Sequence, residues 1–490
     1  MKKIIERTKI MFAKMFMMLT IAACALEGHA VGSEVNSEST EDQDELPQGK
    51  LTIPHDVKMC ANKRISHGYT PGLAMSVVGP DGRDDRLTLG KTGFHETDDA
   101  IQDDTLFEIG SLTKTFTGLL LAHFICEGKV NLDDSITQHM PQLSLPKKDN
   151  QDITFRHLVT HMSGLPHIPE DLLEYSPFEN PYQNYPKNRF FEWIQSSELA
   201  FTPGDHHEYC NSGMALLGMV LSHVGQKPYR DLIQDYILDP LGMKDTVFPP
   251  HSSDKSIAKA HFGDEEIPLW DVGIFAATGG LRSTLHDMML YVKAQLGLTH
   301  KNTPIGKAIA LSHEKIGDIM AYGIGKGRDD HGHMWLSHNG GTAGSSCRIL
   351  LDVDRKRGGI LLTHNSLEKN LYLLYPALTD DLQEREKIIA DLTPDTFAPI
   401  NLEMLKNLSG SYKGNEGTVT MHVEGNALVA RYEGIDLIIK AGHSRERFYP
   451  VTSGEGAPSR FFLQSNGYNV KHRRQYPEFW RHKNGKSYGQ

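Results

Sequence analysis

Apolar and polar positions follow three successive patterns along the chain. Near the start, "LAMSVVG" (73–79) and "DRLTLGKTGF" (85–94) read as strands joined by "PDGR", a tight-turn sequence. From about residue 111 to 293 the spacing becomes helical between Pro/Gly loops, most clearly in "MALLGMVLSHVG" (214–225) and "TLHDMMLYVKAQLG" (284–297). The second opens with Thr284 and Asp287, a variant of the capping box. Strand patterns return at "MWLSHNGG" (334–341), "SCRILLDV" (346–353) and "GGILLTHN" (358–365), with "DRKRGG" as the last turn. Two strands before the helices and three after predict an α/β (α+β) arrangement, one sheet with a helical insertion. A helix over 371–389 is expected to pack on it.

From residue 394 a separate β unit is expected. "LSGSYKG", "VTMHVEGNALVARY", "DLIIKAG" and "RFFLQSNG" alternate around Gly-rich turns, and "EGN" is a hairpin turn. The unit ends in the basic tail "VKHRRQYPEFWRHKNGK", which suits either contact with an anionic polymer or a strand edge guarded by charge. There are no internal repeats.

Length and charge narrow the class. The 490 residues allow two or three domains, and 39% hydrophobic with 23% charged residues is the content of a soluble globular chain. A balance of 51 basic against 62 acidic residues, −11 net, argues against non-specific nucleic-acid binding. The opening is different. Lys2, Lys3, Arg7, Lys9 and Lys14 precede the apolar run "MFMMLTIAACAL" (15–26), an export signal too short for a stable membrane span. Cleavage after "GHA" (28–30) competes with a lipobox-like "IAAC" that ends at Cys24. The acidic, Ser-rich segment 33–50 cannot form a core and reads as a tether. Cys60, Cys126, Cys210 and Cys347 are too far apart for a disulfide framework or a CxxC zinc pattern, which favours free thiols over a single bridge.

Candidate chemistry begins at "LFEIGSLTKTFTGLLLAHFICEGKV" (106–130). Here Ser111 and Lys114 fall three apart where a strand-like run gives way to a helix. On a helix the two share a face, so a desolvated amine can serve as base for the hydroxyl. Ser111 is equally suited to cap the helix. Spacing alone does not decide, because Ser144, Ser252, Ser256, Ser312 and Ser366 also precede a lysine by three.

Two further segments complete an acyl-transfer site. "FTPGDHHEYCNSGMALLG" (201–218) leaves Tyr209 and Asn211 at a loop tip before a helix, a phenol to relay protons and an amide. Taken alone, Tyr209 reads as a half-buried aromatic and Asn211 as an N-cap. Tyr182 and Asn184 have the same spacing in a Pro/Asn-rich loop without a following helix. "LSHNGGTAG" (336–344) sets His338 on a strand before two glycines, so that the N–H groups of Gly341 and Ser111 can form an oxyanion hole. A β-bulge with a structural histidine is the plainer reading.

The ordered set Ser111-x-x-Lys114, Tyr209-x-Asn211 and His338-x-Gly340 resembles the serine β-lactamase and penicillin-binding protein superfamily, whose motifs read S-x-x-K, Y-x-N and K/H-T-G. The similarity is closer to its class C branch of β-lactamases, D-alanyl-D-alanine carboxypeptidases, D-aminopeptidases and esterases. "ITFRHLVTHMSGLP" (153–166) and "ATGGLRSTLHDM" (277–288) resemble that branch too, and the likeness covers about 50–365. It implies a β-lactamase/transpeptidase-like antiparallel sheet flanked by helices, over 51–392, followed by a small β-barrel-like domain at 393–490. It implies Ser111 as acylated nucleophile, Lys114 as its base and Tyr209 as proton relay. Asn211 would bind the substrate amide, His338 would orient substrate and Tyr209, and Asn339, Gly340 and Gly341 would complete substrate binding. His338 replaces a lysine and Asn339 a threonine of the class C pattern, which removes a permanent cation and favours esters or peptides over β-lactams.

The expectation is therefore a serine hydrolase that needs no cofactor, exported to the periplasm or cell envelope after removal of 1–30, with 31–50 as linker. Its partners would be small-molecule or peptide substrates, cell-wall peptides among them, with no nucleic acid, and a membrane only through a lipid anchor. The rival is a penicillin-binding sensor or scaffold that acylates or binds without turnover. A metal enzyme is prompted by 25 histidines, with His157 and His161 at i, i+4 spacing, but HExxH is absent.

Overall fold

The computed structural model describes residues 50–393, apart from 178–179, 251–255, 264, 318, 330–331 and 367–368, together with strands between Gly410 and His482. These residues divide into two compact units, the first ending at Thr393. The export signal, the linker and Cys24 lie outside the described residues.

A six-stranded antiparallel sheet organises the first unit. Its strands are β1 (Gly72–Val78), β2 (Asp84–Gly90), β3 (Gly325–Arg328), β4 (Met334–Gly341), β5 (Ser346–Asp352) and β6 (Arg357–Thr363). They lie in the order β2–β1–β6–β5–β4–β3, so the hairpin before the helical region and the strands after it share one sheet. Successive side chains of a strand point to opposite faces. On one face Leu73, Met75, Val77, Leu350 and Leu361 pack with Val57, Cys60 and Ala61 of helix α1 (His55–Ser66). On the other, Ala74, Val78, Ile349, Leu351, Ile360 and Leu362 join the large core shared with α2 (Thr113–Cys126), α3 (Asn211–Gly225) and α4 (Leu285–Gln295). Burial on both faces explains why β1 is apolar apart from Ser76, whose hydroxyl donates to the Asp85 carbonyl at 2.9 Å. Helix α2 is buried almost all round, as a central helix must be, and it carries Lys114 inward.

Several elements differ from the expectation. The segment 371–389 is not one helix. A 3-10 turn, Lys369–Leu374, is followed by a break and then by α5 (Leu382–Leu392). Pro376 lacks the N–H that a continuous helix needs, and Asp381 restarts the helix by accepting from the N–H groups of Gln383 and Glu384 at 2.9 and 3.0 Å. The helical region also contains short strand pairs, Phe107–Glu108 with Arg282–Ser283 and Ala260–Phe262 with Glu265–Ile267. Helix α4 begins as expected, Thr284 accepting from the N–H of Asp287 at 3.1 Å.

The second unit is an antiparallel meander of β7 (Gly410–Gly414), β8 (Gly417–Glu424), β9 (Ala427–Tyr432), β10 (Ile435–Ala441), β11 (Arg447–Val451), β12 (Leu463–Gln464) and β13 (Arg481–His482). The order is β12–β11–β10–β9–β8–β7–β13, and Glu424 opposite Ala427 flanks the "EGN" turn. Apart from Arg481 and His482, the basic tail lies outside the described residues.

Cys60, Cys210 and Cys347 are buried free thiols, and Cys126 is an exposed one. Among the described residues, no helix is long and apolar enough to cross a membrane.

Candidate active site

The short strand Phe107–Glu108 delivers the chain to a 3-10 turn, Gly110–Leu112, that runs directly into α2. Ser111 sits in this turn. The N-cap position of α2 falls on Leu112, without a side-chain cap bond, so the Ser111 hydroxyl is not a helix cap. Its oxygen instead accepts from Lys114 Nζ at 2.9 Å and from Tyr209 OH at 2.8 Å. Lys114 is fully buried. It also donates to the carbonyl of Thr278 at 2.7 Å, and its ammonium lies 4.9 Å from the centroid of the Tyr209 ring. Thr278 belongs to a short helix, Ala276–Gly279, whose Ala277 carbonyl accepts from Thr117 Oγ1 at 2.7 Å. The "ATGG" stretch thus supplies carbonyl acceptors for two polar side chains of α2. Sequence reasoning missed this partner because a backbone carbonyl has no residue signature.

Glycines let β4 meet the turn that carries Ser111 backbone to backbone. A β-carbon on Gly340 would lie 1.9 Å from the carbonyl oxygen of Ile109, and one on Gly110 would lie 2.6 Å from that of Gly341. Gly110 also has φ +45, a left-handed value that glycine adopts without strain. Cys347 Sγ, across the sheet from Gly340, donates to Ile109 O at 3.1 Å. Asn339 is buried beside these contacts. Glu108 ties the same region together from below: its carboxyl accepts from Thr342 Oγ1 at 2.6 Å and from the Trp270 N–H at 2.5 Å. Burial pushes its carboxyl above the usual range, against the lowering pull of Thr342 and Arg282.

His338 lies on β4, with Nδ1 2.6 Å from the carbonyl of Asn339. A carbonyl only accepts, so Nδ1 carries the proton and Nε2 keeps its lone pair. Burial, and then the Lys114 ammonium, push its pKa down to about 4. The ring is neutral at pH 7.

Tyr209 is half-buried on the loop before α3. Cys210, not Asn211, caps this helix, its sulfur accepting from the Gly213 N–H at 3.2 Å. Asn211 is therefore not spent on capping. Its Nδ2 approaches His167 Nε2 at 3.2 Å and Tyr182 OH at 3.4 Å, while its Oδ1 is buried without a hydrogen-bond partner. Tyr182, the tyrosine of the second Tyr-x-Asn pattern, thus borders the site. Its ring packs on Phe275 and Trp270 at centroid distances of 5.0 and 5.4 Å.

The histidines with metal-ligand spacing have other work. His157 forms a capping box with Thr154 at the start of a short helix, Phe155–Val159, whereas His161 packs on Tyr209. Among the described residues no three His, Cys, Asp or Glu side chains converge as a metal site.

The Beta-lactamase family model matches residues 62–373. Protein flp of Staphylococcus aureus strain MW2 is 26% identical over 323 residues, 62% of this chain and 61% of that protein. Its counterpart in strain N315 is 26% identical over 341 residues, 64% of this chain and 65% of that one. The chain thus spans between three fifths and two thirds of the length of these relatives. Among solved structures, a class C β-lactamase superposes with a TM-score of 0.58 at 21% identity, over 67% of this chain and 96% of that one. A penicillin-binding protein homologue from Pyrococcus abyssi gives 0.59 at 21%, over 84% and 96%. A β-lactamase/D-alanine carboxypeptidase from Pseudomonas syringae gives 0.57 at 20%, over 69% and 98%. These structures share the fold of a sheet flanked by helices, and with the family model matched across most of the chain, the protein belongs to the Beta-lactamase family.

Proposed function

We propose that the protein is a serine hydrolase that cleaves amide or ester bonds through an acyl-enzyme on Ser111. The observation that carries this reading is the convergence of Lys114 Nζ and Tyr209 OH on Ser111 Oγ, at 2.9 and 2.8 Å. In the first half-reaction, with Lys114 as the free amine or Tyr209 as the phenolate, Ser111 Oγ attacks the substrate carbonyl carbon and its proton passes to that deprotonated group. The N–H groups of Ser111 and Gly341 hold the oxyanion, a role supported by the close approach of Gly110 to Gly341. Collapse expels the leaving group, which takes a proton from Tyr209, and water then releases the acyl group by the same path in reverse. Asn211, Asn339 and Gly340 contact the substrate, and His338 orients it.

The neutrality of His338 shapes the substrate class. Without a fixed positive charge at that position, substrates recognised through a carboxylate beside the scissile bond are held weakly. Esters and peptide amides, cell-wall peptides included, fit better than β-lactams. The basic and apolar opening of the chain supports export to the periplasm or envelope, with a lipid anchor if Cys24 is the processing site.

Intact mass of wild type and Ser111→Ala, after exposure to a penicillin, a fluorophosphonate and a chromogenic ester, tests the reading. An adduct on wild type alone is expected, with ester turnover exceeding penicillin turnover. A stable adduct without turnover of any reagent would instead support a sensor that acylates once. Labelling of both proteins alike would remove Ser111 from the mechanism.

A further inference from the structure

The loop that carries Tyr209 and Asn211 is gripped by two histidines six residues apart in the segment "HMSGLPH". His161 holds the backbone on either side of Tyr209: its carbonyl accepts from the Glu208 N–H at 2.8 Å and its Nδ1 from the Cys210 N–H at 3.2 Å. Its ring also lies against the Tyr209 ring, with centroids 4.5 Å apart. His167 holds the positions in between. Its Nδ1 meets the Tyr209 carbonyl at 2.8 Å, its Nε2 meets Asn211 Nδ2 at 3.2 Å, and its carbonyl accepts from the Ser212 N–H at 2.9 Å. Each residue across 208–212 is thereby bonded to one histidine or the other.

Tautomer logic makes this grip directional. The Tyr209 carbonyl only accepts, so His167 carries its proton on Nδ1 and presents a lone pair at Nε2. The atom of Asn211 that faces it must donate, which fixes the amide with Nδ2 toward His167 and Oδ1 turned away. His161 must likewise offer a lone pair at Nδ1 to the Cys210 N–H, leaving its proton on Nε2. That Nε2 is buried without a hydrogen-bond partner, and His161 holds a left-handed φ of +58. Both features are costly for a residue with only a packing role, and such costs concentrate at functional sites.

We propose that His161 and His167 form a clamp that sets the position of Tyr209 and the orientation of the Asn211 amide, acting as positioning residues for the chemistry at Ser111. The proposal rests on the serine hydrolase reading above. Four variants separate the bonds. In His161→Asn the side-chain oxygen replaces the Nδ1 lone pair and asparagine tolerates the left-handed backbone, whereas His161→Ala replaces neither ring nor lone pair. In His167→Gln an oxygen reaches the position of Nε2, whereas His167→Asn keeps a donor for Tyr209 O and loses the acceptor for Asn211.

The rate of Ser111 labelling by a fluorophosphonate is expected to fall about 100-fold in His161→Ala and His167→Asn, the scale of a 1 Å misplacement, and to recover to within about 10-fold of wild type in His161→Asn and His167→Gln. Wild-type rates in His161→Ala and His167→Asn overturn the clamp. So do equal losses in all four with equally lowered unfolding temperatures. If wild type itself is not labelled, the hydrolase reading fails, and the clamp is read from the ultraviolet titration of Tyr209, taken as the difference from Tyr209→Phe. A titration shifted in His161→Ala and restored in His161→Asn supports the clamp, and an unshifted one overturns it.

Discussion

Strand β4 has ionisable groups at both ends, and the two ends bury them differently. At the Trp335 end, Asp352 is fully buried and takes Arg357 Nε at 3.0 Å, while Arg357, also buried, reaches Asp380 at 2.6 Å. Arg355 beside them meets Asp329 at 2.6 Å. At the Gly341 end, Lys114 donates to a hydroxyl and a carbonyl, His338 is neutral, and Glu108 is covered by a hydroxyl and an amide N–H, with Arg282 3.9 Å away. Charges matched to opposite charges make a rim of ion pairs. Groups bonded to neutral atoms can exchange protons with a substrate, which is the requirement for acid–base chemistry. On the serine hydrolase reading proposed above, one end of the strand serves stability and the other reaction.

Replacing Lys114 breaks this comparison most sharply. Lys114→Met keeps the side-chain length and removes the amine, so turnover of an ester is expected to fall about 1000-fold, within the range of a lost acid–base group. Stability should hold or rise, because an apolar side chain replaces a buried polar one. Ester hydrolysis and urea unfolding on the same preparation check both halves. Loss of stability with activity retained per folded molecule would move Lys114 to the structural side.

Asp352→Asn is the converse. It takes from Arg357 the buried one of its two carboxylate partners while Asp380 remains, which is expected to cost about 1–3 kcal/mol of unfolding free energy. The turnover of the folded fraction should not change. A fall in turnover at unchanged urea midpoint would erase the distinction between the two ends.

How much of this was legible in the sequence follows the same physics. Strands β1, β5 and β6 were readable because their burial demands largely apolar runs, and Gly340 because the close approach of the Ile109 carbonyl leaves no room for a side chain. Strand β3 was not. "GKGR" has no apolar pattern, and its place on the sheet edge comes from backbone pairing with β4. The Ser-x-x-Lys spacing occurs six times in the chain, and only the tertiary approach of Tyr209 singles out Ser111. His161 entered the sequence reading only through its spacing from His157 and His167 not at all, since the partners that make them a clamp lie more than forty positions away. The role of the Thr278 carbonyl has no sequence signal at all.

Acidification probes the neutral end as a group. His338 and His167 are each pushed down to about 4, chiefly by burial, whereas an unfolded histidine titrates near 6.5. Between those values the unfolded chain binds more protons, so the stability these rings permit is complete above about pH 6.5 and is lost as the pH falls toward 4. At roughly 1.4 kcal/mol per pK unit, each ring accounts for at most about 3 kcal/mol. Urea midpoints at pH 7 and 4.5 should differ accordingly, and His338→Asn should reduce the difference. An unchanged slope in that variant would show that His338 is already solvated.

The finest test imports the rule of one end into the other. His338→Lys places a fixed cation where the neutral ring stands, facing the region assigned to the substrate beside the scissile bond. A substrate with a carboxylate there should gain about 10-fold in kcat/KM relative to its neutral ester, the equivalent of about 1.4 kcal/mol. The gain is limited because the new ammonium shares the site with Lys114, and two like charges in one pocket disfavour each other. Stability should drop slightly for the same reason. If the ratio between the two substrates does not move, position 338 does not meet the carboxylate, and the neutral His338 ring is no ground for the proposed preference for neutral substrates.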